Sequence, residues 1–572
     1  MQEMINNLPQ SIRLIIASCL AALVIFTWQY FYVDPMVEQN KQEQLRIQVA
    51  QPSISKAIAQ PQFIEREEIL NTHADKQSRI YFDNKVISGS INLIGARLDD
   101  VVLSKYHKTV AAGSPNVILM SPSKTRESYF IEFGWLALQN NGIDLPDNKT
   151  VWQTNQSSID QGTPVLLTYH NPQGVEFVIE ISLDQNYMFK FKQRVINRSA
   201  KSIELTNYGL INRAIAPSKE DTMIIHEGAI GVFDGKLSEI KYDDISSKGK
   251  ITLGKSGWLG FSDKYWLSAI IPTNSAGLND KLSYSYKNNL PKFQASLSTD
   301  SPYLIEANSQ IEWPEMMVFA GAKELDILDL YENKYNIKLF DRAVDFGILY
   351  FITKPMFKLL HYFYDLVGNF GIAILLLTVF IKLLLFPLAY KGFKGMNRLK
   401  DLQPKMAQLK EKFADDSTGF QRALIELYKK EKVNPMGGCL PIILQIPIFF
   451  ALYKVLYVTI EMRHAPFFGW IHDLSAPDHL TIVNLFGLIS FTPPSFLMIG
   501  IFPILMALTM FIQQRLNPEP SDPVQAKVMK FLPLIFLFMF SSFPSGLVIY
   551  WTWSNILSIL QQVLIKNMTK SK

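Results

Sequence analysis

The stretch Ile374–Tyr390, which reads ILLLTVFIKLLLFPLAY, decides the class of fold. Together with the residues from Phe370 onward it reaches the roughly 20 apolar residues that a membrane-spanning helix needs. Its single charge, Lys382, is costly inside a bilayer and is therefore a functional candidate. The alternative is snorkelling to the membrane surface. We favour function because the eight residues from Lys382 to Tyr390 span roughly 12 Å of helix, beyond the reach of a lysine.

Five other predicted spans have the same apolar character. Leu14–Val33 ends in aromatic rather than small residues, so we expect an uncleaved anchor and not a signal peptide. The others are Leu440–Ile460, Phe496–Arg515 and the long stretch Val528–Ile565, which FPSG at Phe543–Gly546 divides into two short helices. The sequence therefore predicts six transmembrane helices.

The composition agrees with a membrane protein only in part of the chain. Of 572 residues, 48% are hydrophobic and 19% are charged, a low share of charge for a soluble protein. Residues 34–345, however, are ordinary and polar, which argues against a uniform transporter. Two cysteines exclude a disulfide scaffold or a Cys-rich metal site, and a net charge of +5 does not indicate nucleic-acid binding.

The charge of the loops predicts the orientation in the membrane. Segment 391–437 is short and rich in Lys and Arg, so the positive-inside rule places it in the cytoplasm. With six spans, both termini are then cytoplasmic and the large polar region lies on the opposite side. Within 391–437, apolar residues at steps of three and four predict a helical hairpin, with a turn at Asp415–Gly419 and a kink at Pro404.

The polar region is predicted to be a large β-sandwich. Strand-like runs occur at Arg79–Phe82, Val175–Ser182, Tyr187–Ile196 and Ser202–Leu210, and the third alternates apolar and polar residues. A short helix is expected at Leu325–Tyr335.

We divide the chain into five predicted parts. They are a transmembrane anchor at 1–33, a linker at 34–65, the β-sandwich at 66–338, an amphipathic helix on the outer membrane surface at 339–368, and a core of five transmembrane helices at 369–572 that includes the hairpin 391–437. A plain connecting helix is the alternative for 339–368.

No pattern indicates catalysis or a bound cofactor. Gly249–Ser256 fits the P-loop pattern, but the residues after it show no helical period. The imidazoles and carboxylates that follow the third span, at His464, His472, Asp473, Asp478 and His479, lack the spacing of a metal site. We therefore expect no enzyme activity, no cofactor and no metal.

Several polar residues are predicted at a depth similar to that of Lys382. They are Thr378, Gln445, Thr509, Gln513, Ser554, Asn555 and Ser558. No Asp or Glu occurs inside a predicted span, so the ammonium needs water or an incoming anion as its partner. These side chains could line a hydrated cavity open to the cytoplasm. For Gln445 and Asn555, hydrogen bonding between helices is the alternative.

Three strings in the last third of the chain closely resemble the YidC-type bacterial membrane protein insertases. They are NPMGGCLPIILQIPIFFALY at Asn434–Tyr453, APFFGWIHDLS at Ala465–Ser475, and FPSGLVIY at Phe543–Tyr550. The anchor and the β-sandwich are similar to the Gram-negative form in architecture. The resemblance implies a polytopic α-helical fold with a five-helix core and a large periplasmic β-supersandwich similar to that of sugar mutarotases.

The resemblance further implies a groove, open to the cytoplasm and to lipid, with a central positive charge. Tyr550 and Trp551 join the candidate site through the resemblance alone, whereas Thr509 and Asn555 come from depth alone. The candidate groove residues are Lys382, Thr378, Gln445, Tyr550, Trp551, Thr509 and Asn555. The family usually has Arg at the position of Lys382, and lysine keeps the charge without the bidentate geometry.

The function implied is that of a membrane protein insertase and chaperone in the bacterial inner membrane. It would integrate and help fold inner-membrane proteins, alone or with the Sec translocon. The partners implied are nascent inner-membrane proteins, the Sec translocon, the lipid bilayer, and a ribosome or targeting factors at the hairpin, with no direct nucleic acid. The alternatives are a secondary transporter, although no inverted repeat is visible, and a membrane-anchored periplasmic binding module.

Overall fold

The structure is a computed structural model, and it describes residues 63–570 with interruptions. The segments left out of the description are 73–75, 138–141, 161, 215–224, 275–276, 288–289, 414–415, 432–439, 479, 487, 490–497 and 518–522. The predicted anchor Leu14–Val33 and the predicted linker up to residue 62 lie outside the described residues, as does the start of the predicted span Phe496–Arg515.

Residues 79–322 form two large sheets, whose strands we number along the chain. The 11-stranded sheet contains β1 (Arg79–Asp83), β2 (Ile87–Asn92), β3 (Arg97–His107), β4 (Asn116–Met120), β5 (Tyr129–Leu136), β6 (Ser158–Ile159), β10 (Ile203–Arg213), β13 (Lys250–Thr252), β16 (Leu278–Lys287), β17 (Leu290–Thr299) and β18 (Tyr303–Ile305). The 9-stranded sheet contains β7 (Val165–His170), β8 (Val175–Leu183), β9 (Met188–Asn197), β11 (Gly228–Phe233), β12 (Lys236–Lys241), β14 (Ser256–Ser262), β15 (Trp266–Pro272), β19 (Ser309–Glu312) and β20 (Met316–Ala322).

Aromatic side chains join the two sheets face to face. Phe133 of β5 stacks on Phe191 of β9 with ring centroids 4.4 Å apart, and Phe82 of β1 meets Phe189 of β9 edge-on at 5.2 Å. The four strands predicted from alternation are present as β1, β8, β9 and β10, since period-two burial is a local property of the sequence. The result is a β-sandwich, as predicted.

Twelve described helices flank or follow the sandwich. They are α1 (Arg66–Asn71), α2 (Tyr242–Lys248), α3 (Leu325–Tyr335), α4 (Tyr350–Val367), α5 (Phe370–Leu384), α6 (Phe386–Asp401), α7 (Gln403–Lys412), α8 (Ser417–Lys430), α9 (Leu440–Val458), α10 (Ile501–Leu516), α11 (Pro523–Phe540) and α12 (Ser545–Lys570). The helix predicted at Leu325–Tyr335 is α3. The P-loop-like segment Gly249–Ser256 leads into strand β14, so no helix follows it.

Local sequence signals explain where α4 ends and α5 begins. Gly368, with φ of 67°, closes α4 in the left-handed conformation that glycine adopts without strain. The Asn369 side chain then caps α5 by accepting a hydrogen bond from the Ile372 N–H at 3.1 Å. The two helices pack against each other, and α4 also packs against α9.

The second predicted span is not the straight helix that we expected at Phe370–Tyr390. Helix α5 ends at Leu384, and α6 leaves it at an angle of 67°. Pro387 lies in the first turn of α6, where the absence of its N–H costs nothing but prevents continuation of α5. Lys382 is therefore in the last turn of its helix, and the argument from 12 Å of straight helix does not hold.

The other helical predictions stand as follows. FPSG does divide the last long stretch, into α11 and α12, but α12 is longer than predicted. By length and composition one described helix, over Ser545–Met568, can cross a membrane, and the bent pair α5–α6 gives a second. Gln445–Val458 and Ile501–Leu516 are apolar but shorter. The number of six transmembrane helices stays a prediction.

Helices α7 and α8 pack as the two arms of a hairpin within 391–437. Met406 of α7 is buried against Leu424 and Tyr428 of α8, and Lys405 pairs with Glu431 at 2.6 Å. Pro404 lies in the first turn of α7, so the chain changes direction there, as the sequence predicts.

Candidate functional site in the helical core

The Lys382 ammonium lies between three helices and is half-buried. Its Nζ donates to the hydroxyl Oγ of Ser558 on α12 at 2.8 Å and to the amide Oε1 of Gln445 on α9 at 3.4 Å. The lysine itself ends α5. Side chains from parts of the chain 176 residues apart therefore meet at one nitrogen.

Both acceptors are oriented by a further hydrogen bond. The Ser558 hydroxyl donates its own proton to the carbonyl oxygen of Ser554 at 2.8 Å. The Gln445 amide donates through Nε2 to the hydroxyl of Tyr550. Since each of these groups spends its donor elsewhere, each presents an oxygen lone pair to Lys382. The chain of hydrogen bonds explains why a lysine is accommodated at this position.

The charge of Lys382 is not neutralised by its partners. Both acceptors are uncharged, and no carboxylate in the described part of the chain forms an ion pair with it. An ammonium carries three protons, of which two are donated to Ser558 and Gln445. One N–H therefore remains for water or for an anion that enters the site.

The structure brings only some of the predicted site residues to Lys382. Gln445 and Tyr550 belong to its hydrogen-bond chain. Thr378 is buried one turn away, but its hydroxyl donates to the carbonyl of Ile374 in its own helix at 2.6 Å.

Three predicted residues have other partners. Asn555 donates through Nδ2 to the Thr509 hydroxyl at 3.2 Å, which joins α12 to α10 and is the alternative that the sequence left open for Asn555. The Trp551 ring packs against Phe449 and Phe540, with centroid distances of 4.7 and 5.0 Å. These three residues do not contact Lys382 through any of these bonds.

Two residues outside the predicted set hold Lys382 directly. One is Ser558, and the other is Gln561, whose Nε2 donates to the Lys382 carbonyl at 3.1 Å. A weak signal was present in the sequence, because Tyr550, Ser554 and Ser558 repeat every four residues and so share one face of α12. That spacing identifies a polar face but not the partner that the face meets.

The loop at the outer end of the core is tied to the start of α12. The Ser545 N–H donates to the Ala476 carbonyl at 2.7 Å, and the Gly546 N–H donates to the Leu474 carbonyl at 3.0 Å. Asp473 and Asp478, which we considered as metal ligands, accept hydrogen bonds from this loop and from the start of α10. No group of metal-ligating side chains is present among the residues that could be searched, namely the described ones.

The β-sandwich side of the chain is joined to α9 by an ion pair. Lys454, near the outer end of α9, contacts Asp345 Oδ2 at 2.9 Å, and both side chains are about 15% exposed. From the sequence alone, Lys454 is expected to snorkel; the structure shows instead a mostly buried pair. Arg463 adds a hydrogen bond to the Lys108 carbonyl at 3.1 Å.

A separate cavity of about 470 Å³ opens in the β-sandwich. Asp83, Asp100 and Asp160 line it, and the charge of Asp100 is paired with Arg66. It lies on strands of the 11-stranded sheet and contains none of the residues predicted for the groove.

Comparison with known families agrees with this two-part architecture. The family model described as "60Kd inner membrane protein" matches residues 362–572, and the model described as "YidC periplasmic domain" matches residues 79–359. These matches define an inner membrane protein that carries a large periplasmic domain.

Full-length relatives identify the family itself. Proteins named membrane protein insertase YidC from Rickettsia bellii and Rickettsia akari are 47% and 48% identical to this chain, over 99% and 98% of its length and 100% and 99% of theirs. The chain belongs to the YidC family. A crystal structure of an active YidC insertase, at 16% identity and a TM-score of 0.34, covers 84% of this chain and 92% of that one.

Proposed function

We propose that this protein is a membrane protein insertase in which Lys382 transiently holds the hydrophilic segment of a client protein. The relatives that cover nearly its whole length carry the insertase name. The observation that carries the mechanism is an ammonium held by two neutral acceptors, Ser558 and Gln445, with one N–H left over. Such a group attracts an anion without being satisfied by one already.

The proposed substrate site is a hydrated groove that opens to the cytoplasm and to lipid. Lys382 lies in the last turn of α5, beside the exposed apolar side chains of Leu383 and Leu384. A client's polar tail would approach the ammonium while its apolar helix meets the neighbouring lipid-facing surface. Contact with the tail shortens the low-dielectric path that its polar groups must cross, since unpaired charges are costly there.

Two energy sources need no nucleotide. Burial of the client's apolar helix supplies about 25 cal/mol per Å² of surface removed from water. The membrane potential adds about 2.3 kcal/mol per charge per 100 mV for an acidic tail that crosses outward. In this mechanism the protein lowers the barrier to transfer and does not perform covalent chemistry.

The remaining assignments belong to the same proposal. Both termini would be cytoplasmic, and the hairpin α7–α8 would receive clients from a ribosome or targeting factors. Its inner face is closed by Met406 and Tyr428, whereas Ile425 on α8 is 53% exposed and available for contact. Cooperation with the Sec translocon would extend the client range.

The test is insertion of a single-span client with an acidic tail, in cells depleted of the native protein and supplied with variants. Lys382→Ala should lower insertion at least fivefold, whereas Lys382→Arg should preserve most of it because the charge remains. Lys391→Ala removes an equal charge from α6 and serves as the matched control. Normal insertion by Lys382→Ala would show that the core charge is dispensable and would refute the mechanism.

A further inference from the structure

We propose that Ser558 is a positioning residue, which holds the Lys382 ammonium inside the core and thereby makes the site selective for client segments that carry carboxylates. This inference rests on the proposed function and assigns a partner to its central charge. It concerns a residue of α12 that neither the motifs nor the apolar pattern single out as functional.

A lysine at this position needs an anchor. Its side chain has four rotatable bonds and loses up to about 2 kcal/mol of rotamer free energy when fixed. Because α5 ends at Leu384 and α6 turns away by 67°, Lys382 is within one turn of a helix end. Snorkelling toward the aqueous interface is therefore open to it, unless another group holds the ammonium in place.

Ser558 has the geometry of that anchor. Its Oγ lies 2.8 Å from Nζ, shorter than the 3.4 Å from Nζ to Gln445 Oε1, so it is the stronger of the two contacts. Its proton is committed to the Ser554 carbonyl, and the residue is only 7% exposed. The hydroxyl is thus a fixed acceptor in a poorly hydrated position, where a hydrogen bond to a charged group is strong.

The same helix also grips the lysine main chain. Gln561, three residues after Ser558 on α12, donates to the Lys382 carbonyl at 3.1 Å. The last carbonyls of a helix lack intrahelical partners, so this bond satisfies a group near the end of α5. Two contacts, one to the side chain and one to the main chain, fix the depth of Lys382 relative to α12.

A neutral anchor leaves the charge of Lys382 available. An aspartate or glutamate at position 558 would hold the ammonium more strongly but would also neutralise it. Serine positions the cation and keeps its attraction for an incoming carboxylate. Clients with acidic tails should therefore depend on Ser558, and clients with amide-containing tails should depend on it much less.

The experiment is a double-mutant cycle read out with two clients that differ only in tail residues, Asp and Glu in one and Asn and Gln in the other. Ser558→Ala should lower insertion of the acidic client on the order of tenfold, the effect of losing one hydrogen bond to a charged group. The amide client should change less than twofold, and Ser558→Thr, which keeps the hydroxyl, should restore insertion. Ser542→Ala, which removes an exposed hydroxyl bonded to its own helix, is the matched control.

The second arm repeats Ser558→Ala in a Lys382→Ala background, where no further loss is expected. An equal loss in both backgrounds, or an equal loss for both clients, would mean that Ser558 supports packing and not the charge, and would overturn the inference. If Lys382→Ala lowers insertion but Ser558→Ala does not, the inference alone fails. If Lys382→Ala itself inserts the acidic client normally, the proposed function fails.

Discussion

The ion pair between Lys454 and Asp345 should fasten the periplasmic domain to α9. The two groups are 2.9 Å apart with side chains 15% and 16% exposed, so most of their hydration is lost. Replacing Lys454 by Met leaves Asp345 buried with the His226 N–H, at 3.2 Å, as a remaining donor. Exposed pairs contribute about 0–1 kcal/mol, and breaking a fully buried pair costs about 3–5 kcal/mol.

A mostly buried pair lies between these limits, and we expect Lys454→Met to destabilise the protein by about 2–3 kcal/mol. The double variant Lys454→Met/Asp345→Asn should lose clearly less than the sum of the single variants, with a coupling of about 1–2 kcal/mol. The assay is thermal unfolding of the purified full chain in nanodiscs, combined with protease sensitivity of the segment between the sandwich and α4.

Lys358 provides the matched control, because it pairs with Asp329 at 3.0 Å but is 56% exposed. Lys358→Met should cost less than about 1 kcal/mol. Additive effects of Lys454→Met and Asp345→Asn would refute the reasoning, since they would show that the two charges do not depend on each other.

Three further outcomes follow from buried groups. Burial raises the pKa of Glu461 to about 8, so its stabilising neutral form is lost as pH rises from its usual value near 4.5 through 8; Glu461→Gln should remove this fall in the unfolding midpoint between pH 5 and 8. Gly371→Ala should destabilise the outer loop by about 1–3 kcal/mol, because a Cβ there would lie 1.9 Å from the Phe467 ring, whereas Gly395→Ala meets open space and should be neutral in the same melts. Phe191→Ala should cost about 3–5 kcal/mol in denaturant unfolding, and a loss below 1 kcal/mol would contradict its central place between the sheets.

Much of the fold follows from local patterns in the sequence. Alternation of apolar and polar residues is a property of neighbouring positions, so β1, β8, β9 and β10 could be predicted within a few residues. Proline and glycine act on the residues beside them, and hence the division at FPSG and the turn at Pro404 were also predictable. The bend after Leu384 was missed although Pro387 signals it, because prolines are tolerated within membrane helices.

The candidate site divides along the same line. The sequence by itself determined that a lone cation lies in an apolar segment, and its long motifs determined the family. Only the tertiary structure decided that Ser558, Gln445 and Gln561 hold Lys382, and that Lys454 pairs with Asp345. The physical reason is that hydrogen bonds and ion pairs depend on distance in space: side chains 176 residues apart meet because α5 and α12 pack together, and no local periodicity records that contact.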